Sequence, residues 1–262
     1  VVAVSPGLAR HNRSGLAGLG IDLSQRQLSA RNLLDVERVR LGAQAPAPDA
    51  FTALKNEHGI VLATMGRMSM EKNQAALIEA VALLREQDGT EGGVAQGLSV
   101  GLAIVGSGVL EGTLRARIDS LGLCGHVVLL GQMDNPFPVL GGADLFVLPS
   151  LHEGQPVTLL EAMTLGTGVV ASDLPGNREL VALGYGILSG TSPQDIAQAI
   201  RKALAEPHLA HGDFDVKEHN ASSLRDTLEA VLGPEALQQQ PRGKAASRRK
   251  RRRRAPLRRV PA

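Results

Sequence analysis

From residue 59 onward the chain alternates short apolar runs with stretches of helical spacing, the runs falling at 59–65, 99–105, 126–130, 144–148, 168–171 and 185–188. Each run is almost unbroken by polar residues, which suits strands covered on both faces. Between them helices are predicted at 72–87, 110–121, 156–165, 177–182 and 193–205, with a single turn near 138–142. In the first of these, Ala75, Leu77, Ile78, Val81 and Leu84 mark one apolar face. Alternation of this kind implies an α/β fold, a doubly wound parallel Rossmann-like sheet with helices on both sides. Ligands of such sheets bind off the carboxyl ends of the strands. A closing helix is expected over 216–232, stopped by Gly233-Pro234.

The opening reads differently. Val-Val-Ala-Val-Ser at 1–5 reads as a buried strand, 6–18 as a weak helix, 27–30 as another short strand, and 32–35 as a turn or helix start. Alternating Ala and Pro over 43–50 read as a linker. A buried strand needs neighbours on both sides, so residues 1–50 are expected to be the trailing part of an incomplete amino-terminal domain. The predicted organisation continues with a complete domain over 56–210, a helix over 213–233 and a disordered basic tail over 234–262. Charge sets the tail apart: residues 241–262 hold 11 of the 28 Lys and Arg and none of the 26 acidic residues.

Several chemistries are disfavoured at once. A single cysteine, Cys124, permits neither an intrachain disulfide nor a multi-cysteine zinc site, and it reads as a small buried residue. His208, His211 and His219 lie in a polar connector and read as solvated, not as metal ligands. No Gly-x-Ser-x-Gly elbow or Cys/His pair offers a nucleophile. Four Phe and one Tyr are too few for binding by stacking. No apolar run reaches the length of a membrane span and no signal segment opens the chain, which fits a reducing, cytoplasmic setting.

Polar residues gather at four strand ends. After the first strand, Gly66, Arg67 and Lys72 set a glycine turn and two cations beside a helix start near Lys72. That pattern suits a phosphorylated ligand, and equally two solvated surface cations. After the second, Gly106-Ser107-Gly108 lets a ligand approach the backbone or is a plain strand-to-helix turn. Glu111 stands where a dinucleotide fingerprint needs its third glycine, which disfavours a dehydrogenase. After the fourth, Glu153-Gly154-Gln155 precedes a helix with Pro156 as its expected first residue, and the exposed amides there can hold an anion or hydroxyls. Glu161 follows in that helix, eight residues beyond Glu153. Such an acid can accept from both hydroxyls of a ribose; as a purely structural residue it would need an arginine partner, because an unpaired buried carboxylate is costly. After the fifth, Asp173 and Asn177 are polar groups at the same edge, or caps of a short helix.

In this order the motifs resemble the retaining GT-B glycosyltransferases, glycosyltransferase family four (group 1) in particular, over about residues 1–232. The Glu-x7-Glu pair, Glu153 and Glu161, is the most specific element. Gly-Arg…Lys at 66–72, Val-Gly-x-Gly at 105–108, Ala-Asp-Leu-Phe-Val-Leu-Pro-Ser at 143–150 and Pro-Gly-Asn-Arg-Glu at 175–179 also fall in the family's order. Val4-Ser5, Asn12, Asn32 and Asp35 look like closing elements of the family's amino-terminal domain, which makes the rest its carboxyl-terminal, donor-binding half. The resemblance implies a role for each matched residue. Arg67 and Lys72, on the turn at Gly66, would meet the donor diphosphate. Gly106 and Gly108 would form the second donor-side turn. Glu161 would hold the ribose, and Glu153 with the backbone of Gly154 and Gln155 the sugar hydroxyls and distal phosphate. The backbone near Gln132 and Met133 would meet the base.

The resemblance further implies hexosyl transfer without metal or other cofactor, from a nucleotide sugar, most commonly a UDP-sugar, to a glycan or polymer acceptor. Much of the acceptor site would belong to the absent amino-terminal domain, so this chain would bind donor but be inactive alone. Asp-Asn-Pro-Phe-Pro at 134–138 and Glu-Gly-Gln-Pro at 153–156 look like bacterial cell-wall polymer (teichoic-acid-type) enzymes. One departure is Gly168, where the family usually has proline. The run of cations at 248–254 suits peripheral contact with an anionic membrane at its inner face through 242–259, or nucleic acid, or a solvated appendage. Two rival readings are a noncatalytic nucleotide-sugar or polyanion-binding fragment, and a nucleotide-sugar epimerase, which suits the Glu-x7-Glu pair less well.

Overall fold

A computed structural model describes residues 2–3, 28–29, 31–86, 99–183 and 185–232. The weak helix expected at 6–18 and the basic tail lie outside the described residues. Two short strands, β1 (Val2–Ala3) and β2 (Leu28–Ser29), pair in parallel. The main sheet holds β3 (Ile60–Met65), β4 (Val100–Val105), β5 (Val127–Gly131), β6 (Leu145–Leu148), β7 (Gly168–Ser172) and β8 (Ile187–Ser189). All are parallel, in the order β5-β4-β3-β6-β7-β8.

Alternation along each strand builds two cores. Ile60, Leu62, Leu102, Ile104, Val147 and Val170 face one side, covered by α3 (Gln74–Glu86), α4 (Glu111–Ser120) and α8 (Pro193–Ala205). Val61, Ala63, Ala103, Val105, Phe146 and Ala171 face the other. That side is covered by α1 (Val36–Gly42), α2 (Asp49–Glu57), α5 (Phe137–Gly142), α6 (Val157–Thr164) and α7 (Pro175–Val181). Two further helices, α9 (Pro207–Ala210) and α10 (Val216–Leu232), close the described chain. Burial on both faces is what makes the strands read as continuous apolar runs.

Several local expectations are corrected. The stretch read as a linker at 43–50 runs into helix α2, whose Phe51 and Leu54 are buried, and the boundary expected at 56 falls inside that helix. Of the two readings of 32–35, the helix start is the one realised: Asp35 caps α1 by accepting from the Arg38 amide at 3.0 Å. Lys72 does not start the long helix: it ends a 3-10 turn (Met70–Lys72), and Asn73, with φ of 52°, separates that turn from α3. Pro156 precedes α6 rather than opening it. Asp173 and Asn177 cap nothing, since Leu174 is the residue ahead of α7 and makes no side-chain cap.

The strand order sets where a ligand belongs. The chain builds outward from β3 to β4 and β5, then returns to the other side of β3 with β6. The loops after β3 and β6 therefore part from each other at the carboxyl edge, and the crevice between them is the usual binding place in such sheets. Among the described residues no helix is long and apolar enough to cross a membrane.

Candidate functional site

That crevice brings the first and fourth strand-end motifs together. Lys72 Nζ donates to Glu153 Oε1 at 2.5 Å, and the same oxygen accepts from the Ser150 hydroxyl at 2.7 Å. The Glu153 side chain is 9% exposed and that of Lys72 26%, so the carboxylate is withdrawn from water but matched in charge. Arg67 is exposed and forms no ion pair among the described residues. Its carbonyl accepts from Gln74 Nε2 at 3.0 Å, which ties its loop to the start of α3. Lys72 is thus fixed on a buried acid between the loops, while Arg67 is exposed on the same loop as Lys72 and adds to the Ser69 hydrogen bond that holds the Glu71 carboxyl below its usual range.

Two glycine contacts hold these loops close. A Cβ on Gly106, whose φ is +130°, would lie 2.1 Å from the Gly66 carbonyl oxygen, and one on Gly108 would lie 2.4 Å from that of Met68. The Gly106 and Gly108 positions are thus filled by the neighbouring loop, the two glycines packing on the backbone of Gly66 and Met68. Met68 N–H donates to Ser107 O at 2.9 Å and Met68 O accepts from the Leu110 amide at 3.2 Å, which completes the join. On the other side, a Cβ on Gly176 would lie 1.7 Å from the Gly154 carbonyl oxygen.

Asn73 was missed, and it fastens the site. Its Nδ2 donates to Pro149 O at 3.1 Å and to Thr191 O at 3.0 Å, so it links the loops that follow β3, β6 and β8. The sequence does carry a hint, since asparagine is among the few residues that accept a left-handed backbone. Asn73→Ala is expected to cost about 2–4 kcal/mol, from the backbone preference and two hydrogen bonds. Asn73→Gly should recover about 1 kcal/mol of that, because glycine keeps the conformation without the bonds. Chemical denaturation of both variants checks the order.

The remaining predicted residues lie in α6, in the loop after β5 and at the end of the Glu153 loop. Glu161, in the middle of α6, is partly buried without an ion pair among the described residues, and burial pushes its carboxyl up to about 7 while Arg38 on α1 draws it back down. Arg38 also lies 5.7 Å over the Phe137 ring, and Asn135 Nδ2 donates to Gly42 O at 2.8 Å, so α1 is docked across α5 and α6. Gln132 accepts from Ser107 Oγ at 3.3 Å, and Met133 is packed on the second core. Gln155 is buried and its side-chain oxygen is taken by Asn32.

Two expectations outside the site are overturned. His219 is buried at 5% exposure, with Nε2 3.2 Å from Asn32 O and its ring beside Phe214; burial holds its basicity below the usual imidazole range. Cys124 is exposed, donating to Asp119 at 3.2 Å. Gly168, in place of the family's proline, is covered instead by the His211 ring, which a Cβ would meet at 2.5 Å. A cavity of about 320 Å³ at the opposite edge, lined in part by Asp144, Thr167 and His211, turns these polar groups onto its own backbone. Among the described residues no group of three or more His, Cys, Asp and Glu is placed to hold a metal.

The sequence profile described as Glycosyl transferases group 1 matches residues 48–213. The chain belongs to this family. It is 32% identical over 211 residues to the N-acetylgalactosamine-N,N'-diacetylbacillosaminyl-diphospho-undecaprenol 4-alpha-N-acetylgalactosaminyltransferase of Campylobacter jejuni, covering 77% of this chain and 52% of that one. It spans 33–52% of the length of this and three other curated relatives. Anabaena HepE in complex with UDP and glucose superposes with a TM-score of 0.66 at 20% identity, over 92% of this chain and 63% of that one. An S. aureus TarM variant in complex with Fondaparinux, alpha-GlcNAc-glycerol and UDP gives 0.60 at 19%, over 91% and 42%. The likeness to these structures is one of fold, and the main sheet of this group 1 member is the Rossmann-like sheet of GT-B glycosyltransferases.

Proposed function

We propose that this chain supplies the donor-binding half of a retaining, metal-independent hexosyltransferase that uses a nucleotide sugar, with UDP as the base-bearing group. The observation that carries this reading is the Lys72–Glu153 pair at the switch point of the sheet, with the exposed Arg67 on the same loop as Lys72. Negative charge grows on the departing nucleoside diphosphate during transfer, and fixed cations aimed at it act where they help most. They take the place a metal ion would otherwise fill. Glu153, with the backbone of Gly154 and Gln155, receives the sugar hydroxyls and the distal phosphate; Glu161 receives the ribose; the backbone near Gln132 and Met133 borders the base. Retention of configuration is carried over from the resemblance of the Glu-x7-Glu pair.

The acceptor is read as a cell-envelope glycan or polymer, in line with the undecaprenol-linked substrate in the name of the Campylobacter jejuni relative. Its site is assigned largely to a further domain, since the matched stretch covers only 52% of the length of these curated relatives. The cations at 242–259 suit work at the inner face of an anionic membrane.

Calorimetric titration of the full chain with UDP-glucose, UDP-N-acetylglucosamine, GDP-mannose and inorganic diphosphate tests this. One nucleotide sugar is expected to bind, and Arg67→Ala to weaken it about 10–100-fold, the weight of one or two charge-assisted hydrogen bonds. The melting temperature should hardly move, because Arg67 is exposed. Diphosphate binding that ignores Arg67→Ala and disappears on deletion of 241–262 would instead favour a polyanion-binding fragment.

A further inference from the structure

The loop that faces the donor in this reading, Glu153 to Gln155, is held at each residue by a different element. Glu153 is held by Lys72 and Ser150, and Gly154 lies against Gly176. Gln155 is held by Asn32, which lies outside the stretch matched to the family. The Asn32 main-chain N–H donates to Gln155 Oε1 at 2.5 Å, and Asn32 Nδ2 donates to the Gln155 carbonyl at 2.9 Å. Asn32 is anchored in turn by α10. His219 Nε2 donates to Asn32 O at 3.2 Å. Leu34 N–H donates to Asn220 Oδ1 at 3.0 Å, and Asn220 Nδ2 donates back to Leu34 O at 2.8 Å. Arg31 bonds Ser222 at 3.2 Å and pairs with Asp226. His219, Ser222 and Asp226 are spaced at three and four residues, so one side of α10 runs as a ladder along 31–34.

Gln155 and His219, the two partners on either side of Asn32, are each 5% exposed and withdrawn from water, which strengthens the bonds that they make to it. We propose that Asn32 is a positioning residue for the donor loop, fixing the path of Gln155 and hence the placement of Gly154 and Glu153, with α10 as its anchor. The proposal rests on the donor-site reading above. It gives the stretch between the small β1–β2 sheet and α1 a direct effect on the site, because a reacting group displaced by about 1 Å can lose a hundredfold in rate.

The test compares Asn32→Ala, Asn32→Asp and Asn220→Ala in the full chain, by UDP titration well below the melting temperature and by thermal melting. Asn220→Ala removes two bonds to Leu34 and touches nothing in the donor loop, so it reports the purely structural share. Asn32→Asp keeps the size but sets a carboxylate oxygen against the Gln155 carbonyl. All three are expected to lower the melting temperature by about 2–6 °C. UDP affinity should fall about 10-fold in Asn32→Ala, further in Asn32→Asp, and less than about 3-fold in Asn220→Ala. The loss in Asn32→Ala/Gln155→Ala should be smaller than the sum of the single losses, as for residues acting through one contact. If wild-type chain binds UDP and Asn32→Ala loses no more than Asn220→Ala, the positioning role is overturned while the donor site stands. If wild-type chain binds neither UDP nor a nucleotide sugar, the donor-site reading falls and takes this role with it.

Discussion

Gly176→Ala is expected to be among the most damaging single substitutions in the chain. Its Cβ would lie 1.7 Å from the Gly154 oxygen and 2.6 Å from the Gly154 carbonyl carbon, and both are main-chain atoms that no rotamer change can move away. Either α7 shifts or the donor loop does, and the loop is tied to Lys72, Ser150 and Asn32. Overpacking of this kind costs about 1–3 kcal/mol and more where backbone must move, which lowers melting by about 6 °C or more in a chain of this size. Gly106→Ala should do the same at the other side of the crevice, with a left-handed φ added to a 2.1 Å clash. Gly112 is the internal control: it sits in α4 with nothing within 4 Å of its Cβ position. Gly112→Ala is expected to gain up to about 1 kcal/mol from helix propensity. Melting curves of the three variants, read with UDP titration, decide the matter. Comparable stability in Gly176→Ala and wild type would mean that the two loops are not packed as described.

The contrast between those glycines shows what local sequence can and cannot convey. All are short of a side chain, and only the contact with the neighbouring Gly154 loop tells Gly176 from Gly112. Strands were legible because burial on both faces leaves an apolar run that needs no partner to be seen; the six predicted runs match β3 to β8 to within about two residues. The charged residues at the strand ends were legible through motif order. What the sequence hid depends on distant partners. Asn73 interrupts an otherwise helical pattern, and its reason lies in carbonyls 76 and 118 residues away. His219 reads as solvated in a polar stretch, and the partners that cover it are Phe214 and Asn32, the latter 187 residues upstream. Phe51 and Leu54, three apart and followed by an apolar strand, did signal a short amphipathic helix, but the Ala-Pro run ahead of them masked it.

Donor affinity should rise with pH in a way set by Glu161. Burial raises its carboxyl from the ordinary 4.5 to about 7, against the pull of Arg38. Between those values the folded chain keeps a proton that the unfolded chain has released. Stability therefore falls as pH climbs through this window, and the whole penalty is present above about 7. Partial exposure of the side chain reduces the cost to roughly 1–3 kcal/mol. Glu161→Gln removes it, so this variant is expected to melt higher than wild type at pH about 8 and level with it near pH 5. Binding runs the other way. An ionised carboxylate accepts from both ribose hydroxyls, whereas the protonated acid must spend one oxygen as a donor. UDP-glucose affinity for wild type should increase between pH about 6 and 8, while Glu161→Gln binds weakly with little pH dependence beyond that of the ligand. Arg38→Ala should move the wild-type rise to higher pH, because the carboxyl loses its one opposing charge. Parallel pH profiles for wild type and Glu161→Gln would remove Glu161 from the ribose site and leave it as a buried acid of α6. A more stable yet weaker-binding Glu161→Gln at high pH would show instead that this carboxylate is kept charged, at a cost to the fold, for the ligand it receives.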